Sequence, residues 1–166
     1  MGPRAIFLDF SASELERQAG RIGVCLECLP ETEIWSRAGD NSNAVGNLVL
    51  HLCGNVRQWI LMGVGRQPGI RERDDEFTAS SGDGLAERLD ATVAEACRVI
   101  RALPARRLTE KVTIQGDQVT VLEAIYHVVQ HFSGHAGQIF LLTKRATGEY
   151  LDFYPQLGRS QRERTP

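Results

Sequence analysis

No run of apolar residues in this chain is long enough to cross a membrane, and no basic segment followed by an apolar one marks its start as a signal peptide. The cytoplasm is therefore the expected location. A strong excess of either charge is also missing: the 166 residues carry a formal net charge of -2. A nucleic-acid partner would call for a basic face, and the one locally basic stretch, GRSQRERTP, reads as a solvated tail. Internal repeats and low-complexity segments are absent, which excludes a repeat architecture. A second C-x-x-C is lacking too. Cys25 and Cys28 form the only such pair, within helical flanks (RIGVCLECLP), so they read as reduced, buried packing residues rather than a redox pair or ligands. What remains is 42% hydrophobic content, enough for one globular domain over residues 1–166 with a sizeable core.

Helical patterns fill most of the chain. In FSASELERQAGRIGVCLECLP, Ser13 and Glu16 have the spacing of a capping box, and Pro30 is a stop. Ser42 and Asn43 are candidate caps for a second helix through NAVGNLVLHLCGNVRQWILMGV. The loop GRQPGIRERDDEFTASSGDG follows and is long for a connection between helices. A third helix covers LAERLDATVAEACRVIRAL and stops near Pro104. KVTIQGDQVTV alternates around Gly116, as a small hairpin does. Thr120 and Glu123 form another capping box, opening a fourth helix through VLEAIYHVVQHFSGHAGQIFLLTKRATG that Gly148 ends. EYLDFYPQLG is expected to be an irregular closing arm. Four helices and one hairpin predict an all-α four-helix bundle.

Histidine is scarce and concentrated. Three of the four histidines fall four residues apart in HVVQHFSGHAGQI, and the other, His51, lies on the second predicted helix. At about 100° per residue, Leu122, Ile125, Val129, Phe132, Ala136 and Ile139 form the apolar seam of the last helix. His135 falls inside the widened apolar arc, His131 at its edge and His127 toward the polar face. On the second helix, His51 flanks the arc of Leu48, Leu52 and Val56, with Asn55 one turn further on and Gln58 close by. His127 and His135 are separated by two turns, about 12 Å of rise, so one ion cannot bind all three. An adjacent i, i+4 pair can chelate, and the inward pair is His131 and His135. His51 is the only histidine left to complete such a site. The residues alone leave a metal site and a set of ordinary polar core-edge histidines equally open.

Three stretches, SNAVGNLVLHLCGNVRQWI, GIRERDDEF and VLEAIYHVVQHFSGHAGQIFLLTK, together resemble the DinB-like (DinB/YfiT) metalloenzyme superfamily. They carry H-L-x-G-N, R-x-R-D-x-E-F and H-x-x-x-H-x-G-Q-I in that order, over most of the chain. The resemblance implies a four-helix bundle, often paired as a homodimer. It also implies a divalent metal on one histidine of the second helix and an H-x-x-x-H of the fourth. In this sequence those ligands are His51, His131 and His135, with His127 at a non-ligand position. The superfamily includes thiol-dependent S-transferases and an isomerase, but no motif here identifies a thiol pocket.

Imidazole ligands suit several metals. Zinc or nickel is the first expectation, with iron or manganese behind them. Three protein ligands leave a position open, as catalytic sites do. Asn55 and Gln138 stand about one turn from ligands and could orient them or a substrate. In RERDDEF, Arg73 or Asp75 could lie over the pocket mouth, or the run could be a salt-linked loop anchored by Phe77. Its carboxylates, Asp74, Asp75 and Glu76, are expected to stay away from the histidines, because a loop between helix ends has to reach mid-helix to meet them. Two functions stay open: a metal-dependent transferase or hydrolase on a small molecule, with a low-molecular-weight thiol as one candidate partner, and a non-catalytic metal-binding stress-response module.

Overall fold

Residue 3 already lies in a helix in the computed structural model, which describes residues 2–149 and 151–153. The basic tail and most of the predicted closing arm lie outside the described residues. Helix α1 spans Pro3–Cys28 and buries Leu8, Ala12, Leu15, Ala19, Ile22 and Cys25, an i, i+3, i+4 row. It starts ten residues before the predicted Ser13 cap. Proline is well suited to the first helical position, where a missing N–H leaves nothing unpaired. Ser13 and Glu16 thus lie within the helix, and Glu16 accepts a 2.7 Å hydrogen bond from Arg101 instead of capping. The short α2 is Glu31–Ile34.

Helix α3, Val45–Val56, continues into a π-helical stretch, Arg57–Val64. There the hydrogen bonds widen to i→i+5, as from the Gly65 N–H to the Ile60 carbonyl at 2.7 Å. Neither predicted cap opens α3. Ser42 bonds back to Gly39, and the Asn47 side-chain oxygen Oδ1 accepts from the Ala44 N–H at 3.2 Å. The loop before the third long helix contains a further helix, α4, Arg73–Thr78. Helix α5 is Leu85–Ala102, followed by a 3-10 turn at Ala105–Thr109.

Strands β1, Lys111–Ile114, and β2, Asp117–Thr120, pair antiparallel with Ile114 opposite Asp117. Gln115 and Gly116 between them both have positive φ, 57° and 89°, the condition for a primed two-residue turn. Ile114 is buried against Gly63, where an added Cβ would sit 2.5 Å from its Cδ1, so the hairpin packs on the π-helical stretch. Helix α6, Val121–Thr147, opens on the predicted capping box. The Thr120 N–H donates to Glu123 at 2.7 Å, and the Glu123 N–H returns a 3.2 Å bond to the Thr120 hydroxyl. Gly148, at φ 68°, ends it.

The structure is mostly helical, with a two-stranded antiparallel hairpin before the last long helix. It has six α-helices among the described residues rather than the four predicted. The extra two, α2 and α4, form in segments whose turn-rich or densely charged sequences carry no helical period. Helices α1 and α3 each pack on both α5 and α6, which brings the His51 helix against the helix of the other histidines. Among the described residues, no helix is long and apolar enough to cross a membrane.

Candidate metal centre

Where α3 meets α6, the side chains of His51, His131 and His135 converge. Their ring centroids are 5.0 Å (His51–His131), 5.0 Å (His51–His135) and 4.5 Å (His131–His135) apart. One potential ligand atom from each lies within 4.8 Å of the others, and this is the only such metal-capable group among the described residues. His51 is buried, whereas His131 and His135 are half-buried, so the cluster opens to solvent on the α6 side. His127 is outside the group. Its ring lies on Trp59, with centroids 4.1 Å apart, and is half-buried rather than solvated on the polar face as predicted.

Hydrogen bonds bear on which ring nitrogens are free. His51 Nδ1 lies between Glu76 Oε2 at 3.0 Å, which can only accept, and Arg71 Nη2 at 3.1 Å, which can only donate. With the Nδ1 proton on the Glu76 side, a lone pair is left on His51 Nε2, which faces His131 Nε2 at 3.1 Å. Two imidazole nitrogens this close require an electrophile between them, either a proton on one or a shared cation. On α6, His135 Nδ1 meets Gln138 Oε1 at 2.8 Å. With the side-chain oxygen accepting, His135 Nε2 is also free. His131 Nδ1 is buried without a hydrogen-bond partner.

Burial favours the neutral form of His51 and His131. Burial lowers the pKa of His131 to about 3, and the neighbouring His135 and His51 add to the shift. Burial likewise lowers the pKa of His51, outweighing the opposing effect of its hydrogen bond to Glu76. His127 is lowered by burial alone. A tetrahedral ion with metal–nitrogen bonds of about 2.0–2.1 Å sets its ligand nitrogens about 3.3–3.4 Å apart. The 3.1 Å between His51 Nε2 and His131 Nε2 is close to that value, and the three ligand atoms lie within 4.8 Å of one another, so the three imidazoles could hold a divalent ion.

Glu76 lies closer to the cluster than expected. The loop does reach mid-helix, but its carboxylate lies behind His51, on the ring edge away from the other histidines. Three sets of contacts bring it there. Arg71 grips both Glu76 oxygens, each at 2.7 Å, and also donates to Gln58 at 2.8 Å. The Asn47 amide donates to the carbonyls of Glu76 and Ala79 at 3.0 and 2.8 Å, tying α4 to α3. Gly54 leaves room for the pair: a Cβ there would sit 1.8 Å from Glu76 Oε1. Phe77 lies against His51, with centroids 4.9 Å apart, and Arg73 stacks over Phe77 rather than over a pocket mouth. The salt-linked loop anchored by Phe77 is the arrangement found.

Of the other candidates, Gln138 has the partner expected of it. Asn55 is buried one turn after His51, but its side-chain oxygen has no partner. Of the C-x-x-C pair, Cys25 is buried and Cys28 is exposed, contrary to the prediction that both pack inside. Cys28 is the last residue of α1.

The cavity of about 490 Å³ that touches Glu76 and Arg71 contains none of the three histidines. It lies along Leu50, Gly54 and Arg57 of the helix that bears His51, with Glu76 between it and the cluster.

The chain belongs to the family described as "Protein of unknown function (DUF1572)", whose model matches residues 4–153. No curated protein matches it.

Proposed function

We propose that this chain is a metal-dependent enzyme of the DinB-like kind, a four-helix bundle that holds one divalent ion, zinc or nickel first, on His51, His131 and His135. The observation that carries this reading is the convergence of three imidazoles, two of which have Nδ1 within hydrogen-bond distance of an acceptor, Glu76 or Gln138. Such acceptors orient metal-ligating histidines and raise their basicity. The bound ion would supply Lewis acidity, with which a water or a thiol becomes a nucleophile at neutral pH. Glu76 and Arg71 hold the His51 ring in place, Gln138 sets the His135 tautomer, and the half-buried α6 side admits a small substrate. The reaction is then transfer of a thiol to an electrophile, or hydrolysis. As the resemblance implies, the working form is a homodimer, which light scattering would test.

One observation favours a second reading, a non-catalytic metal-binding module: the 490 Å³ cavity is not lined by any of the three histidines. Elemental analysis of protein purified without added metal, followed by a screen of thiol and water acceptors, separates the two. One ion per chain with turnover supports the enzyme, and one ion per chain without it supports the module. No ion under metal-replete conditions rejects both.

A further inference from the structure

The cavity behind Glu76 has walls of opposite charge that the fold itself leaves unpaired. Of the charged side chains around it, Arg71 and Glu76 are spent on each other. Arg57 and Arg88 line it from the α3–α5 side and form no ion pair with any described residue. Glu72, Asp75 of α4 and Asp83 of the loop before α5 line the cavity from the other segment and form no ion pair with any described residue. Leu50, Met62, Ile70 and Leu85 add apolar lining. Ile70 there is 88% exposed, the most exposed large hydrophobic side chain among the described residues. Trp35, another lining residue, has an indole N–H that is buried without a partner.

A volume of about 490 Å³ is within the range of small-molecule sites. Two unpaired guanidiniums suit a carboxylate, which arginine can bind through two parallel hydrogen bonds. Facing carboxylates suit an ammonium. An apolar body between these ends would cover Ile70. We propose that this cavity is a ligand site, distinct from the histidine cluster, for a short peptide with free termini and apolar side chains. Its carboxylate lies on Arg57 and Arg88, its ammonium on Asp75 and Asp83, and its side chains against Ile70. The site shares Glu76 with His51 but needs no metal.

The test uses the full chain freed of metal by chelation, so that its outcome is independent of the histidine reading. Calorimetric titration with leucyl-leucine is expected to show saturable binding. N-acetyl-leucyl-leucinamide, which has the same body but no charged ends, should bind at least about ten-fold more weakly, the loss of about 1.4 kcal/mol. Arg88→Gln and Asp75→Asn, both at exposed positions that leave the core intact, should each weaken the free dipeptide by a similar factor. Absence of binding at millimolar dipeptide overturns the proposal. So does equal binding of the blocked compound, or full affinity in both variants.

Discussion

The two sides of the histidine cluster are supported in different ways. His51 is buried, and its partner Glu76 comes from a different helix, is itself buried and is gripped by Arg71. His135 is half-buried, and its partner Gln138 is three residues along the same helix. One support depends on tertiary structure and the other forms with α6 itself. A buried ion pair is costly to break, because removing one partner strands the other charge. An exposed i, i+3 hydrogen bond costs little to lose, since water replaces it. The α3 side is therefore the rigid half of the site and the α6 side the adaptable half.

Replacing a ligand should have the largest effect on both halves. His131→Ala is expected to take metal content from one ion per chain to nearly none, as measured by elemental analysis, and full occupancy would refute the ligand set. Next comes Glu76→Gln, which keeps the shape but strands Arg71. It should lower metal affinity about 10–100-fold and, in the metal-free protein, destabilise the fold by about 3 kcal/mol in urea titration. If affinity drops without loss of stability, the rigid half is less rigid than its burial indicates.

Acid should act in the same direction on metal-free protein. The ordinary histidine pKa is 6.5, and in the fold His131 lies near 3 because burial disfavours its charged form. Below 6.5 the unfolded chain takes up a proton that folded His131 refuses. Its contribution to stability is thus complete above pH 6.5 and is lost as pH falls toward 3. Urea midpoints near pH 7 and pH 5 should differ accordingly, and His131→Asn should shrink the difference.

On the adaptable half, Gln138→Ala should weaken metal binding by about ten-fold at most, with stability unchanged within about 0.5 kcal/mol. The smallest effect is expected at His127, which packs on Trp59 outside the group: His127→Ala should keep its full complement of metal.

Much of this was legible in the sequence because it is periodic or local. The long α3, α5 and α6 helices follow from their apolar spacing, and the Thr120–Glu123 box and Gly148 bound α6 as predicted. Helical phase was enough to separate His131 and His135 from His127. What escaped depends on partners far along the chain. Ser13 and Glu16 have a cap's spacing, yet α1 begins at Pro3 and Glu16 meets Arg101 on α5. Glu76 was placed away from the histidines because nothing in its own segment shows that Asn47 would fasten that segment to α3. Even so, the three quoted motifs all meet at this site. H-L-x-G-N brings His51 and the glycine that makes room for Glu76. R-x-R-D-x-E-F brings Arg71 and Glu76, and H-x-x-x-H-x-G-Q-I brings the α6 pair with Gln138.

The Thr120–Glu123 box also serves as the origin from which α6 is counted. Each residue turns the helix by about 100°, so the direction of His131 is set by how many residues separate it from the cap. A residue inserted in the hairpin turn lies upstream of that origin and changes only the turn. A residue inserted between Glu123 and His131 swings His131 and His135 together about a quarter-turn past His51, while the spacing between the two stays the same. The chain between cap and ligands thus tolerates exchange of one residue for another far better than any change in their number.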